Sequence, residues 1–270
     1  MIDLLSRPSR RVYERTAAAA DRGGWSVERD IRWTAIDRDR AYARPELLAA
    51  LRDAALIESF HPVNLARLLR ATWDDVDAGV VFSLELYEGF KHFHSLRRYL
   101  ESIGYEPAIT DDELVEIRRA QAGTEVDADS LIGQLVEFML SEHLAHYFFR
   151  RLGEQSEEPV LADLLGRIAS DEVRHAQSAS DLIAKRIDAD PSLIPRVLDA
   201  AMDFRHFGEQ AIGAVPIAQP GDPIAIQTFA RRIERLCGIR LVDHIKKTRL
   251  GGSNGSGGLL PWRTYDNHQF

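Results

Sequence analysis

The chain has 270 residues, 45% of them hydrophobic, with a formal net charge of −8 and one cysteine, Cys237. That length and apolar content suit one large domain with a sizeable core, and the negative charge argues against generic affinity for nucleic acid. A lone cysteine excludes an intrachain disulfide framework, and no apolar run approaches a signal-peptide core or a membrane span, so the expectation is a soluble cytoplasmic protein without membrane insertion.

Residues 1–44 are charged and irregular, with an Ala-rich turn or short helix at Thr16 to Ala20 that stops at Gly23-Gly24. Trp25, Ile31 and Trp33 are its apolar anchors, which predicts an arm packed on the main body. Pro45 suits the first turn of a helix, and Leu47, Leu48, Leu51, Ala54 and Ala55 follow at helical spacing. Glu58 continues that face, and Pro62 should kink or interrupt the helix one turn later. A second helix is expected from about Asp74 to Ser102, burying Val81, Leu84, Leu96, Tyr99 and Leu100 and stopping at Gly104.

Thr110-Asp111-Asp112-Glu113 has the acidic start of a short helix ending near Ala122. A third long helix opens around Asp129-Ser130 and carries Leu131, Leu135, Phe138, Met139, Phe149 and Leu152 to Gly153, and Pro159 begins a fourth that ends near Asp188. Pro191 to Ile212 and Ile224 to Lys247 read as two further helices. From Gly251 to Gly258 the composition is that of a flexible linker, leading to an aromatic tail at Trp262 and Tyr265. No strand-like alternation or internal repeat appears, so the chain is expected to be all-α, with an arm over 1–44, a helical domain over 45–250 and a tail over 251–270.

The fourth helix carries Glu172 and His175, about 60° apart on one face and a single turn from each other, so one metal ion can touch both. A Glu-x-x-His pair on a core-facing helix is part of the ligand set of di-iron and di-manganese bundles, to which other helices add lone glutamates. Leu161, Leu165, Ile168, Ala179, Leu182 and Ile183 surround the pair on the helix wheel, and an ionised carboxylate among such neighbours needs compensation, for which a cation is the usual agent. Glu58 on the first helix and Glu142 on the third occupy comparable apolar faces, with His146 one turn above Glu142. The second helix offers Glu85, Glu88, His92 and His94. Three residues before His92, where a second Glu-x-x-His pair would need its glutamate, stands Gly89. Glu88 shares a face with His92 at about 40° and roughly 6 Å along the axis, whereas Glu85 lies about 10.5 Å away. The candidate metal ligands are therefore Glu58, Glu88, His92, Glu142, Glu172 and His175, a carboxylate and imidazole set that suits iron or manganese.

These residues resemble those of a known family. Gly166-Arg167-Ile168-Ala169-Ser170-Asp171-Glu172-Val173-Arg174-His175, followed later by Asp190-Pro191, is similar to the last di-iron motif of the soluble acyl-carrier-protein desaturases, members of the ferritin-like superfamily. Leu96-Arg97-Arg98-Tyr99-Leu100 after His92, and Ile57-Glu58 with Pro62 downstream, are similar to the segments around that family's earlier ligands. The resemblance covers roughly residues 45 to 250 and departs from the family at Gly89, where the family has glutamate.

The resemblance implies a ferritin-like four-helix bundle with flanking helices, in which Glu58, His92, Glu142, Glu172 and His175 are iron ligands. Asp171 would serve catalysis by accepting a hydrogen bond from a ligand histidine and orienting it. Two iron ions, with manganese possible in one position, would use O2 as co-substrate and draw electrons from a donor such as a ferredoxin. The leading expectation is an oxidoreductase that desaturates or hydroxylates an acyl chain on a carrier protein or related thioester, working as a homodimer. Carrier proteins are acidic, so Arg97, Arg98, Lys246, Lys247 and Arg249 are the candidate docking groups. Gly89 and the extra histidines His94, His143 and His146 motivate an alternative, a di-iron N-oxygenase or hydroxylase of a small amine or amino acid. A further alternative is a non-catalytic metal-binding helical protein.

Overall fold

The computed structural model describes residues 11–120, 131–213, 215 and 223–251. The tail from residue 252 onward and the expected start of the third long helix at Asp129-Ser130 lie outside the described residues. Among the described residues every regular element is helical. The arm contributes α1 (Val12–Gly23), α2 (Val27–Asp30) and α3 (Arg38–Tyr42). The body follows with α4 (Pro45–Glu58), α5 (His61–Ala71), α6 (Val76–Ile103), α7 (Asp111–Ala120), α8 (Leu131–Gln155) and α9 (Pro159–Ala189). The chain closes through α10 (Ile194–Met202), α11 (Glu209–Ile212), α12 (Pro223–Cys237) and α13 (Leu241–Gly251).

Local chemistry sets these boundaries. Asp75 caps α6 by accepting from the backbone N–H groups of Asp77 and Ala78, and Gly104 ends the helix at φ 69, a left-handed conformation that suits a residue without Cβ. Pro159 sits in the first turn of α9, where its missing donor costs nothing, and the buried Glu158 carboxylate caps that turn while accepting from the Tyr99 hydroxyl at 3.1 Å.

Three boundaries differ from expectation. The interruption ascribed to Pro62 falls directly after Glu58, and Pro62 opens α5 instead of bending α4. The segment 191–212 is divided at Asp203–Gly208, where Phe204 and Phe207 turn into the core and the Phe207 N–H donates to Ser141 Oγ at 3.1 Å. The helix expected over 224–247 breaks at Gly238, which takes φ 66.

The broken rod α4–α5 and the continuous α6, α8 and α9 form the bundle, with α8 and α9 packed along each other as a hairpin closed by Ser156–Glu158. The arm lies against α6 and α9: the Tyr13 N–H donates to Asp77 at 3.0 Å, Arg15 meets Asp181 at 2.7 Å, and Thr16 and Ser178 hydroxyls are 3.0 Å apart. Trp25 and Ile31 are buried beneath it.

The apolar interior comes in two parts. One contains Val81 and Phe82 of α6, Leu135 to Leu144 of α8 and Ala179 to Ile187 of α9. The other contains Leu47 to Leu56 of α4, Leu96 to Ile103 of α6, Phe149 and Leu152 of α8, and Val160 to Ala169 of α9. Each long helix is therefore apolar toward both ends and carries its buried ionisable groups in the middle.

Asp75 also accepts from Lys185 Nζ at 2.9 Å and Arg186 Nη1 at 3.0 Å, tying the start of α6 to the end of α9. Asp75→Ala should lower unfolding stability by about 1–2 kcal/mol, read as a reduced urea midpoint with an unchanged slope.

Candidate metal centre

Between the two apolar clusters lie Glu58, His61, Glu85, Glu88, His92, Glu142, Asp171, Glu172 and His175, all buried. Two groups within this layer have the geometry of cation sites. Glu58, His92 and Glu172 each offer a donor atom within 4.8 Å of the others, and so do Glu142, Glu172 and His175. Glu172 belongs to both and would be shared by two ions held there. The His92 Nδ1 lies 3.0 Å from Glu172 Oε1 and 3.6 Å from Glu58 Oε2, while the His175 Nδ1 lies 3.1 Å from Glu172 Oε2 and 3.4 Å from Glu142 Oε2.

The donors also pass a test of fit. Glu58 Oε2, His92 Nδ1, Glu142 Oε1 and Glu172 Oε1 are buried without a hydrogen-bond partner. An unsatisfied buried polar atom costs about 1–3 kcal/mol, and several converging on one point are accounted for by a cation placed among them.

Each histidine is held from behind by a carboxylate. His92 Nε2 is 3.0 Å from Asp171 Oδ2, and His175 Nε2 is 2.9 Å from Glu88 Oε2. An N–H donated outward leaves the inward Nδ1 lone pair for a metal, the arrangement that orients imidazole ligands generally. Asp171 also accepts from the Trp25 indole N–H at 2.8 Å and lies 3.1 Å from Lys91 Nζ. Arg174 joins the two outer carboxylates, reaching Asp171 Oδ1 and Glu88 Oε1 at 2.7 Å each.

Glu88 was expected to share an ion with His92; its Oε1 faces Arg174 at 2.7 Å and its Oε2 faces His175 Nε2 at 2.9 Å, and, like His61, it lies outside the two cation groups.

Without a cation the layer compensates its own charge. Burial pulls His92 and His175 toward neutrality, but the facing carboxylates outweigh it and hold both rings well above the ordinary histidine range. Burial and the charge of Glu172 push Glu142 well above the usual carboxylate range, whereas Glu172 stays well below it despite burial because the Glu142 proton and both imidazoles stabilise its charge. Burial of Asp171 is outweighed by His92, Lys91 and Arg174, which keep it ionised.

No protein-family model matches the chain. It is 33% identical over 101 residues to DesA2 of Mycobacterium tuberculosis, present in two strains, a protein that bears the provisional name of an acyl-carrier-protein desaturase; the match spans 36% of each chain. The structure superposes on the R2-like ligand-binding oxidase from Sulfolobus acidocaldarius with a TM-score of 0.58 and 16% identity, covering 89% of this chain and 96% of that one. The fold is ferritin-like.

Within this ferritin-like bundle the three extra histidines singled out in the sequence, His94, His143 and His146, have partners outside the two cation groups. His146 Nδ1 is 2.8 Å from the Ala169 carbonyl, His143 Nε2 is 3.1 Å from the Thr228 hydroxyl, and His94 stacks on Phe90. The groups that sequence reasoning missed are His61, Lys91, Trp25 in its polar role, and Arg174. For His61 a signal was present: Glu58-Ser59-Phe60-His61 is itself a Glu-x-x-His spacing, masked by the helix break.

Glu85 is 1% exposed with both oxygens unpartnered, and burial, reinforced by Glu88 and Glu172, pushes its carboxyl up to about 8. Between the ordinary glutamate range and pH 8 the unfolded chain ionises this group while the folded chain keeps its proton, so folding stability falls as pH rises through that window. Glu85→Gln should remove this dependence. In metal-free protein the stability difference between variant and wild type should grow from about pH 5 to about pH 8, measured by urea unfolding.

Proposed function

We propose that the chain is an O2-dependent di-iron oxidoreductase that desaturates or hydroxylates an acyl chain on a carrier protein or related thioester. The observation that carries the reading is the pair of cation groups sharing Glu172, each with an imidazole anchored from behind by a carboxylate. The resemblance to DesA2 over about a third of the chain supports the substrate class, and the shared fold with an R2-like oxidase supports the reaction class.

Glu58, His92 and Glu172 would hold one iron, and Glu142, Glu172 and His175 the other. Bound there, the pair of ions would supply the O2 activation that no side chain can perform. Desaturation removes two hydrogens from the substrate and, with O2, two electrons from a donor and two protons, yields two waters. Hydroxylation inserts one oxygen atom and yields one water.

The chain's own part is orientation, electron access and exclusion of water. Asp171 and Glu88 fix the ring orientations, the facing imidazoles do most to keep both carboxylates ionised, and Arg174 adds to this and joins the two. Trp25 is bonded to Asp171, which is bonded to His92, a continuous connection from the arm to the centre. An open cleft of about 300 Å³ reaches Trp25, Glu88 and Lys91 from the surface, so a donor such as a ferredoxin docked over its mouth would lie near the start of that connection. Of the basic groups considered for docking an acidic carrier, Arg97 is paired with Asp111 and Glu101, and Arg98 with Glu28; Lys246 and Lys247 on α13 are exposed.

Anaerobic loading with ferrous iron should give two irons per chain, and Glu172→Ala should reduce that stoichiometry while leaving the helical circular dichroism intact. Loaded protein given reductant and O2 should convert a carrier-bound acyl substrate to a product lacking two hydrogens or bearing one added oxygen, read by mass spectrometry. Uptake well below two irons, or turnover of free amines alone, would overturn the reading. Trp25→Phe should bind iron normally but slow reduction of the oxidised centre about tenfold or more, followed by stopped-flow absorbance.

A further inference from the structure

The ligand pattern of di-iron bundles comprises two Glu-x-x-His pairs and two lone glutamates. In this chain α6 supplies His92 without its glutamate, since Gly89 stands at that position. A Cβ on Gly89 would lie 2.6 Å from His61 Nδ1, 2.9 Å from its Cγ and 3.1 Å from its Cβ. A side chain at residue 89 and the imidazole of His61 thus exclude each other, and the imidazole fills the volume that the glutamate would have entered.

The same ring reaches toward both cation groups. His61 is 1% exposed, and its Nε2 lies 3.4 Å from Glu58 Oε2 and 3.7 Å from Glu142 Oε1, one carboxylate from each group. Both oxygens lack a hydrogen-bond partner, as does His61 Nδ1. The Phe207 ring packs edge-on at 5.2 Å from the imidazole and holds it in place.

We infer that His61 is a metal ligand of this centre, replacing the glutamate absent at residue 89. The inference rests on the two-cation reading above. The Glu-then-His pair missing from α6 is found instead at Glu58 and His61, on either side of the α4–α5 break. Two prerequisites meet there: the break aims both side chains at the layer, and Gly89 makes room for the ring.

The donor set becomes three carboxylates, Glu58, Glu142 and Glu172, with three imidazoles, His61, His92 and His175. One negative charge is thereby lost relative to the four-carboxylate pattern, which favours the divalent over the trivalent state of the bound ions.

Wild-type crystals soaked with ferrous iron under argon should place an anomalous iron peak within about 2.4 Å of His61 Nε2; a separation beyond about 3 Å would overturn the inference. His61→Ala should weaken binding of one of the two irons about tenfold or more in anaerobic titration, and pulsed EPR of the one-electron-reduced centre should lose one set of imidazole-nitrogen couplings. Adding Gly89→Glu to His61→Ala should restore two-iron binding, whereas Gly89→Glu alone should misfold or lose metal. Unchanged affinity and unchanged nitrogen couplings in His61→Ala would likewise overturn it. If the His61 variants do not fold, the soaked wild-type map decides. Wild-type uptake below two irons would instead sink the di-iron reading, so the two failures are distinguishable.

Discussion

The structure depends on a slab of carboxylates and imidazoles lying between two apolar cores. Three of its carboxylates, Glu58, Glu142 and Glu172, meet with oxygens that no hydrogen bond satisfies. Such a gathering is unfavourable in a low-dielectric interior unless positive charge enters it. The facing carboxylates hold His92 and His175 well above the ordinary histidine range, so their protons partly meet that need, and a pair of divalent ions among the same donors would meet it more fully. The bundle serves the same requirement: α4, α6, α8 and α9 cross the slab side by side, and each brings at least one of Glu58, His92, Glu142, Glu172 and His175 to it.

Behind the donors stands a second set of charges that is fully paired. Asp171 and Glu88 each hold one ring, and both meet the single guanidinium of Arg174. The orientation of the two ligand histidines is thereby coupled through one residue of α9, itself on the helix that supplies Glu172 and His175. A planar group with several donors in fixed directions suits this junction better than a lysine would.

Much of this was legible in the sequence, and the reasons differ by residue. Glu172 and His175 were readable because α9 is continuous, with apolar residues at helical spacing on both sides and a proline at its start. Asp75, Gly104 and Pro159 mark helix ends through their own backbone chemistry, so those boundaries needed no tertiary information. The partners of Glu88 were not readable, because helical geometry reports which residues share a face but not what opposes them; Arg174 and His175 come from another helix. His61 was overlooked for a complementary reason, although it stands three residues after Glu58. Periodicity assumes an unbroken rod, and here the donor sits just past a break whose position the sequence set one turn too late. The meaning of Gly89, a hole shaped for a ring from another helix, exists only in three dimensions.

The arm extends this dependence beyond the bundle. Trp25 is bonded to Asp171, and Gly23, at the end of α1, approaches Arg174 so closely that a Cβ there would lie 2.9 Å from its guanidinium. A segment that contributes no residue to either cation group nonetheless forms an outer wall of the layer behind His92. Removing Gly23 and Trp25 together with α1 would expose Asp171 and Arg174 to solvent and loosen the support of the His92 imidazole, so the electrostatics of the buried layer are set in part from outside the bundle.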